Sequence, residues 1–202
     1  MNLPTKLTIL RIIMIPVFVV LYLVEFPYHD VIATGVFLLA SFTDFLDGYI
    51  ARKYNMVTDL GKFLDPVADK VLVMSALVLL CVSFTGYLQI ALVVSTIIIL
   101  ARELIITGFR TIAAGKQVIL AADKMGKGKT VMQMIAVVAL LLNNFAFSFY
   151  PAPAQGEYAQ FPVFGVIVLM IGLVALVFAV FLTVLSAFNY IFKNRSVLRE
   201  EK

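Results

Sequence analysis

The chain has 202 residues, of which 62% are apolar and only 14% are charged, and its mean hydropathy is +1.03. The charged fraction is about half that of a typical soluble domain, so a soluble globular protein is excluded. A disordered chain is excluded too, because disorder needs few apolar residues and many charges. The composition predicts an integral membrane protein with several spanning helices, and the length predicts one domain, residues 1–202.

Six apolar stretches follow one another along the chain, each near or above the roughly 20 residues that cross a bilayer core. They cover residues 7–24, 31–51, 65–84, 88–112, 127–148 and 161–190. Glycines, prolines and aromatic residues lie between several of them, which is typical of turns and membrane interfaces. The predicted fold class is therefore all-α, a polytopic membrane protein with six transmembrane helices.

The basic residues are distributed unevenly along this pattern. All 16 Lys and Arg lie in the N-terminal segment, around the second-to-third and fourth-to-fifth connections, or in the C-terminal tail. Cytoplasmic loops of membrane proteins carry such an excess, so the sequence predicts that both termini are cytoplasmic. The net charge of +4 is then a sign of membrane topology, and no nucleic-acid partner is expected.

Four acids stand out because membrane spans rarely carry them: Asp44, Asp47, Asp65 and Asp69. Spacings of three and four place each pair on one helix face, and the short connection between the two helices lets both faces converge. Carboxylates without a nearby His or Cys suit Mg²⁺, Mn²⁺ or Ca²⁺, and four could hold two ions that clamp a diphosphate. The alternative is that these acids only cap helices or pair with Lys70. That explanation would be enough for one Asp, but it accounts less well for four.

Together these acids form a longer pattern, Asp44-x₂-Asp47-Gly48-x₂-Ala51-Arg52-x₈-Gly61-x₃-Asp65-x₃-Asp69. This pattern resembles the signature of the CDP-alcohol phosphatidyltransferases, with every position filled, and six spans agree with that family. The resemblance implies that a CDP-linked lipid, usually CDP-diacylglycerol, gives its phosphatidyl group to an alcohol while CMP leaves. It also implies a homodimer.

The resemblance assigns roles to individual residues. It implies that Asp44, Asp47 and Asp65 bind metal, with two Mg²⁺ or Mn²⁺ ions expected, and that Asp69 faces the metals and is the general base. The N-terminus resembles the amphipathic opening segment of the family, which is implied in nucleotide binding. The implied residues for binding CDP-diacylglycerol are Asn2, Thr8, Arg11, Gly48, Arg52, Thr58 and Gly61. Simple helix capping and helix packing are the alternatives for the N-terminal polar residues and the glycines.

The acceptor alcohol is predicted from a second group of basic residues, which comprises Arg102, Arg110, Lys127 and Lys129. Glycerol 3-phosphate is a dianion near neutral pH and needs such groups, whereas inositol does not. A structural salt bridge between Arg102 and Glu103, or an anionic-lipid patch of lysines, is the alternative. Residues 101–104 and 126–133 resemble bacterial phosphatidylglycerophosphate synthases. The resulting hypothesis is transfer from CDP-diacylglycerol to sn-glycerol 3-phosphate at the cytoplasmic face of a bacterial plasma membrane, among its lipids.

Two other functions remain open on sequence alone. The first is the same chemistry with another acceptor, such as phosphatidylglycerol, serine or inositol phosphate. The second is divalent-cation transport through the acidic cluster. Against transport, the acids lie at one membrane face, and no series of acids or amides continues through the last two apolar stretches.

Overall fold

The computed structural model describes residues 2–54, 59–115, 124–148 and 162–194. Within these ranges, every element of regular secondary structure is an α-helix. The helices are α1 (Leu3–Leu23), α2 (His29–Tyr54), α3 (Asp59–Ser83), α4 (Gly86–Gly115), α5 (Lys124–Leu141), α6 (Asn143–Ser148) and α7 (Val163–Lys193).

Each of the six predicted stretches coincides with a helix, with two differences. The stretch 127–148 is divided, because α5 ends at Leu141 and the short α6 begins at Asn143. The interruption is at Leu142, directly before the Asn143–Asn144 pair, and Asn is a weak helix former. The N-terminal segment is not a separate amphipathic helix: it forms the first turns of α1, where Pro4 is tolerated because a helix start leaves its first N–H groups unpaired.

Four helices in the described part of the chain contain a segment long and apolar enough to cross a membrane. These segments are Pro4–Leu23, Leu64–Ser83, Gly86–Ala113 and Val163–Lys193, and Gly128–Leu141 is a shorter apolar helix. Large apolar side chains such as Val20, Ile97 and Val177 are exposed on their outer faces. An all-helical bundle with an apolar exterior is the construction of a polytopic membrane protein.

Two apolar clusters hold the bundle together. The larger one joins α1, α2, α3, α4, α5 and α7, and Phe18, Phe37, Leu80, Ile99 and Leu140 are buried at its centre. The smaller one lies towards the C-terminal ends of α4 and α7, where Ile106, Phe109, Ala113 and Tyr190 pack together. The larger cluster therefore fixes α1 against α2 and α3, which positions the polar residues described next.

Two glycines allow α7 to approach its neighbours closely. A Cβ atom on Gly172 would lie 2.7 Å from Leu140 Cγ of α5, and one on Gly165 would lie 2.8 Å from the Phe147 ring of α6. Any larger residue would have to displace these side chains. The close α5–α7 contact fixes the helix that carries Lys129.

Candidate active site

The four motif acids lie on two consecutive helices, and α1 packs against both of them. Asp44 and Asp47 belong to α2, while Asp65 and Asp69 belong to α3. Asp47 is buried, Asp44 and Asp65 are half-buried, and Asp69 is exposed. Asp69 is near enough to Asp44 for their charges to interact. The four acids thus lie on consecutive helices, but they differ in their surroundings.

Arg11 of α1 lies between the two acids of α2. Its side chain is 0% exposed, so its charge has to be compensated inside the protein. Its Nη1 lies 2.7 Å from Asp44 Oδ1, and its Nη2 donates to Asp47 Oδ2. Its Nε is buried without a hydrogen-bond partner in the described part of the chain. One guanidinium is thus shared by two motif carboxylates, one negative charge of the three groups stays uncompensated by it, and its Nε has no hydrogen-bond partner among the described residues.

Thr8 lies one turn before Arg11 on α1 and contacts the third acid. Its Oγ1 is 2.5 Å from Asp65 Oδ1, and the same hydroxyl is 3.2 Å from Pro4 O. Thr8 is completely buried. The first helix therefore provides polar partners for three of the four motif acids. We call Thr8, Arg11, Asp44, Asp47 and Asp65 the Arg11 cluster.

The donor set fits a hard cation, but the carboxylates are not gathered around one point. Among the described residues, no three acidic, histidine or cysteine side chains are arranged to hold a metal ion. The guanidinium of Arg11 lies between Asp44 and Asp47 in this arrangement. All four motif acids nevertheless offer carboxylate oxygens, the donor type that Mg²⁺ and Mn²⁺ prefer, and one pair of them already shares the cationic side chain of Arg11.

Asp69 lines a cavity of about 100 Å³ between α3, α4 and α5. The polar residues of this cavity are Asp69, Lys70, Glu103, Lys129, Thr130 and Gln133. Apolar side chains complete its wall, among them Val73 and Met134. A carboxylate and an ammonium in one cavity suit a ligand that has both a hydroxyl group and an anionic group.

The described members of the predicted basic group lie in different surroundings. Lys129 is buried and donates to Glu103 Oε1, while Arg102 Nη1 lies 3.4 Å from the same oxygen. Arg110 points elsewhere: its Nε donates to the Tyr190 hydroxyl at 3.2 Å, and its guanidinium carbon lies 5.6 Å from that ring's centroid. Only Lys129 of the predicted set lines the cavity among the described side chains.

The remaining predicted residues contribute less to this geometry. Asn2 is exposed at the start of α1 and makes no capping hydrogen bond with its side chain, and Gly61 is buried on α3. Thr58 lies outside the described residues. Gly48 and Arg52 belong to α2 and Lys127 to α5, but the contacts of these three residues are also outside what the structure describes. Their predicted roles stay predictions.

Several contributing residues were not assigned to the site from the sequence. Lys70, Thr130 and Gln133 line the cavity, and Lys70 also donates to Thr107 of α4. Ser186 of α7 accepts a hydrogen bond from Arg102 at 3.1 Å. A polar residue four positions after Lys129 on an otherwise apolar helix was the available sign for Gln133, while nothing local marked Ser186.

Comparisons with known proteins identify the family of the chain. Residues 1–192 match the sequence model of the CDP-alcohol phosphatidyltransferase family. The chain is 40% identical to the CDP-diacylglycerol--glycerol-3-phosphate 3-phosphatidyltransferase of Bacillus subtilis (strain 168), over 98% of this chain and 97% of the relative. The protein of the same name from Sodalis glossinidius (strain morsitans) is 39% identical, over 99% of this chain and 98% of the relative. The one from Rickettsia bellii (strain RML369-C) is 36% identical, over 94% of this chain and 93% of the relative. The chain therefore belongs to the CDP-alcohol phosphatidyltransferase family.

Proposed function

We propose that this protein transfers the phosphatidyl group of CDP-diacylglycerol to sn-glycerol 3-phosphate, releasing CMP and forming phosphatidylglycerol phosphate. The observation that carries the proposal is the cavity that joins Asp69 of the motif to Lys129. The names of the bacterial relatives describe the same donor and the same acceptor, and the match runs along nearly the whole chain.

Asp69 is the general base in this proposal. Its carboxylate is exposed on α3 and borders the cavity, so an acceptor hydroxyl placed there has a proton acceptor within reach. Removal of that proton as the oxygen attacks phosphorus would lower the barrier. The reaction needs no covalent intermediate with the protein.

Lys129 binds the phosphate of the acceptor in the same cavity. A phosphate dianion forms its strongest hydrogen bonds with cationic donors, and the Lys129 ammonium lies in the wall of the cavity. Arg102, next to Glu103, adds positive charge nearby. Arg110 and Lys127 complete the proposed acceptor-binding set, with Arg110 farther along α4 beside Tyr190.

Two divalent cations, Mg²⁺ or Mn²⁺, are proposed to be bound by the four motif acids, Asp44, Asp47, Asp65 and Asp69. When bound, they would neutralise the diphosphate and polarise the phosphorus under attack. The all-carboxylate donor set supports this proposal. Asp44 and Asp47 hold one positive charge between them in the form of Arg11, and a cation there would compete with that guanidinium.

The donor lipid is proposed to bind where α1 meets the motif helices. The proposed residues are Asn2, Thr8, Arg11, Gly48, Arg52, Thr58 and Gly61. Thr8 and Arg11 support this placement because both contact motif acids directly. The buried Nε of Arg11 is a further donor that a phosphate oxygen could satisfy.

The proposed setting is a bacterial plasma membrane, crossed six times, with both termini and the site on the cytoplasmic side. The one-sided distribution of Lys and Arg supports this orientation. It is tested on a Cys81→Ser background, with single substitutions Glu25→Cys and Lys193→Cys labelled in intact cells by a membrane-impermeant thiol reagent. Labelling at position 25 but not at 193 is expected, and the reverse pattern contradicts the orientation. The proposed homodimer is tested by its mass in detergent micelles.

The activity is tested with the purified protein, CDP-diacylglycerol, Mg²⁺ and labelled glycerol 3-phosphate. Label in a lipid product, with equimolar CMP, is the expected result. CMP released only with serine, inositol phosphate or phosphatidylglycerol would keep the family and contradict the acceptor. Cation flux in proteoliposomes without CMP release from any alcohol would favour transport instead.

A further inference from the structure

The cavity wall contains a carboxylate, Glu103, that the proposed reaction does not use directly. Glu103 of α4 accepts from the Lys129 ammonium of α5 and lies 3.4 Å from Arg102, through one oxygen, Oε1. Arg102 in turn donates to Ser186 of α7 at 3.1 Å. A single carboxylate therefore organises two cations that belong to different helices.

The burial of these side chains shows that Lys129 depends on Glu103. The Lys129 side chain is 4% exposed, compared with 21% for Glu103. A lysine is almost never buried without a partner, and its flexible stem lets the ammonium move to the nearest aqueous surface when the partner is lost. The described structure pairs Lys129 with one carboxylate, and that carboxylate is Glu103.

The charge of the cavity argues that Glu103 is not there to attract the acceptor. Its charged lining consists of Asp69, Lys70, Glu103 and Lys129, two acids and two bases. A dianion would bind more strongly to the same cavity without Glu103 if attraction by net charge were the only factor. The carboxylate must therefore contribute something other than charge attraction, and its geometry offers the position of the Lys129 ammonium.

We propose that Glu103 is a positioning residue, which holds the Lys129 ammonium in the cavity wall so that its remaining N–H donors face the acceptor phosphate. An ammonium has three donors, and the contact with Glu103 uses one of them. This inference rests on the proposed function, because it concerns the acceptor phosphate of that reaction.

The test is steady-state kinetics of Glu103→Gln with glycerol 3-phosphate varied at saturating CDP-diacylglycerol. We expect the KM for glycerol 3-phosphate to rise about tenfold, the loss of one charge-assisted hydrogen bond, while kcat stays within about twofold. Glu103→Asp, which keeps the charge on a shorter stem, should give an intermediate KM. Glu25→Gln is the matched control, since it makes the same change at an exposed position before α2 and should leave both constants unchanged.

A double variant separates positioning from a general loss of stability. If Glu103 acts through Lys129, adding Glu103→Gln to Lys129→Met should raise KM no further than Lys129→Met alone. Multiplying effects would overturn the inference, as would an unchanged KM in Glu103→Gln or a fall in kcat alone. Should Glu103→Gln fail to fold, Glu103→Asp decides, because an unchanged KM there also overturns the inference.

The inference and the proposed function fail in different ways. A wild-type protein that forms no lipid product from glycerol 3-phosphate contradicts the proposed function and the inference with it. A wild-type protein that forms the product, with an unchanged KM in Glu103→Gln, contradicts only the inference.

Discussion

Two polar regions lie inside the same apolar bundle, and they handle charge differently. In the Arg11 cluster, one completely buried guanidinium faces two carboxylates, and a buried hydroxyl contacts a third. In the cavity between α3, α4 and α5, two acids and two bases surround an opening, and Asp69 is exposed. In the first region the charges are paired mainly with one another, although the Asp44 side chain is 42% exposed, whereas the second region is an open cavity with charged groups in its wall.

We expect this difference to separate variants that first affect stability from variants that first affect acceptor binding. A charge that is buried and paired becomes very costly when its partner is removed, so changes in the Arg11 cluster should first affect folding. Substitution of a group that borders an opening costs little stability, but it changes what binds in the opening. Changes in the cavity should therefore first affect the kinetic constants. The motif acids are divided between the two regions: three belong to the Arg11 cluster, and Asp69 borders the cavity.

Asp69→Asn should have the largest effect on turnover. The amide has the same shape but is a very poor proton acceptor, so kcat should fall about 10³-fold, within the range of general-base catalysis. Release of CMP measures this change. Thermal unfolding should be nearly unchanged, because Asp69 is exposed. Activity within tenfold of the wild type would contradict the assignment of Asp69 as the base.

Arg11→Met should have the largest effect on stability. It removes the cation that buried Asp47 shares with Asp44, whose side chain is 42% exposed and still reaches water, so the free energy of unfolding should fall by about 3 kcal/mol, the lower end of the range for breaking a buried pair. Denaturant unfolding in detergent micelles measures this loss. Arg11→Lys is the matched control and should lose less, since it keeps the charge.

The same variant sharpens the metal proposal. If a divalent ion replaces the guanidinium between Asp44 and Asp47, added Mg²⁺ should stabilise Arg11→Met more than it stabilises the wild type. Equal stabilisation of both proteins would count against a metal ion at this pair of carboxylates.

Lys129→Met should mainly change acceptor binding, whereas Arg11→Met should mainly change stability. The KM for glycerol 3-phosphate should rise about tenfold or more, because a charged donor to the phosphate is lost. The KM for CDP-diacylglycerol should stay the same, and Lys129→Arg should retain part of the acceptor affinity. If both KM values rose together, the cavity would not be specific to the acceptor.

Tyr190→Phe should have the smallest effect. It removes the hydroxyl that accepts from Arg110 Nε, at a cost of about 1 kcal/mol in stability, while the ring remains beside the guanidinium. Melting temperature and acceptor KM are measured together. A rise in the acceptor KM as large as that of Lys129→Met would contradict the small role expected for the Tyr190 hydroxyl.

Sequence patterns predicted the helices well because each depends on local composition. An apolar stretch of about 20 residues has few alternatives in a membrane, so all six stretches coincide with helices. The same reasoning was less reliable at the ends: it missed the interruption after Leu141 and the continuation of α1 back to Leu3. Capping and packing against neighbours decide such boundaries, and neither is visible in apolar content.

The membrane class and the residue types of the site follow from the amino-acid sequence alone. Four acids at helical spacing in apolar surroundings required a compensating charge, whatever the fold. The packing of the helices, which the sequence does not reveal, makes Arg11 of α1 provide part of that charge and pairs Lys129 with Glu103. Arg102 and Arg110 lie on one helix about 12 Å apart, yet one joins Glu103 and the other Tyr190. The spacing along a helix fixes which face a residue occupies, but the rotation and offset of neighbouring helices decide which partner it meets.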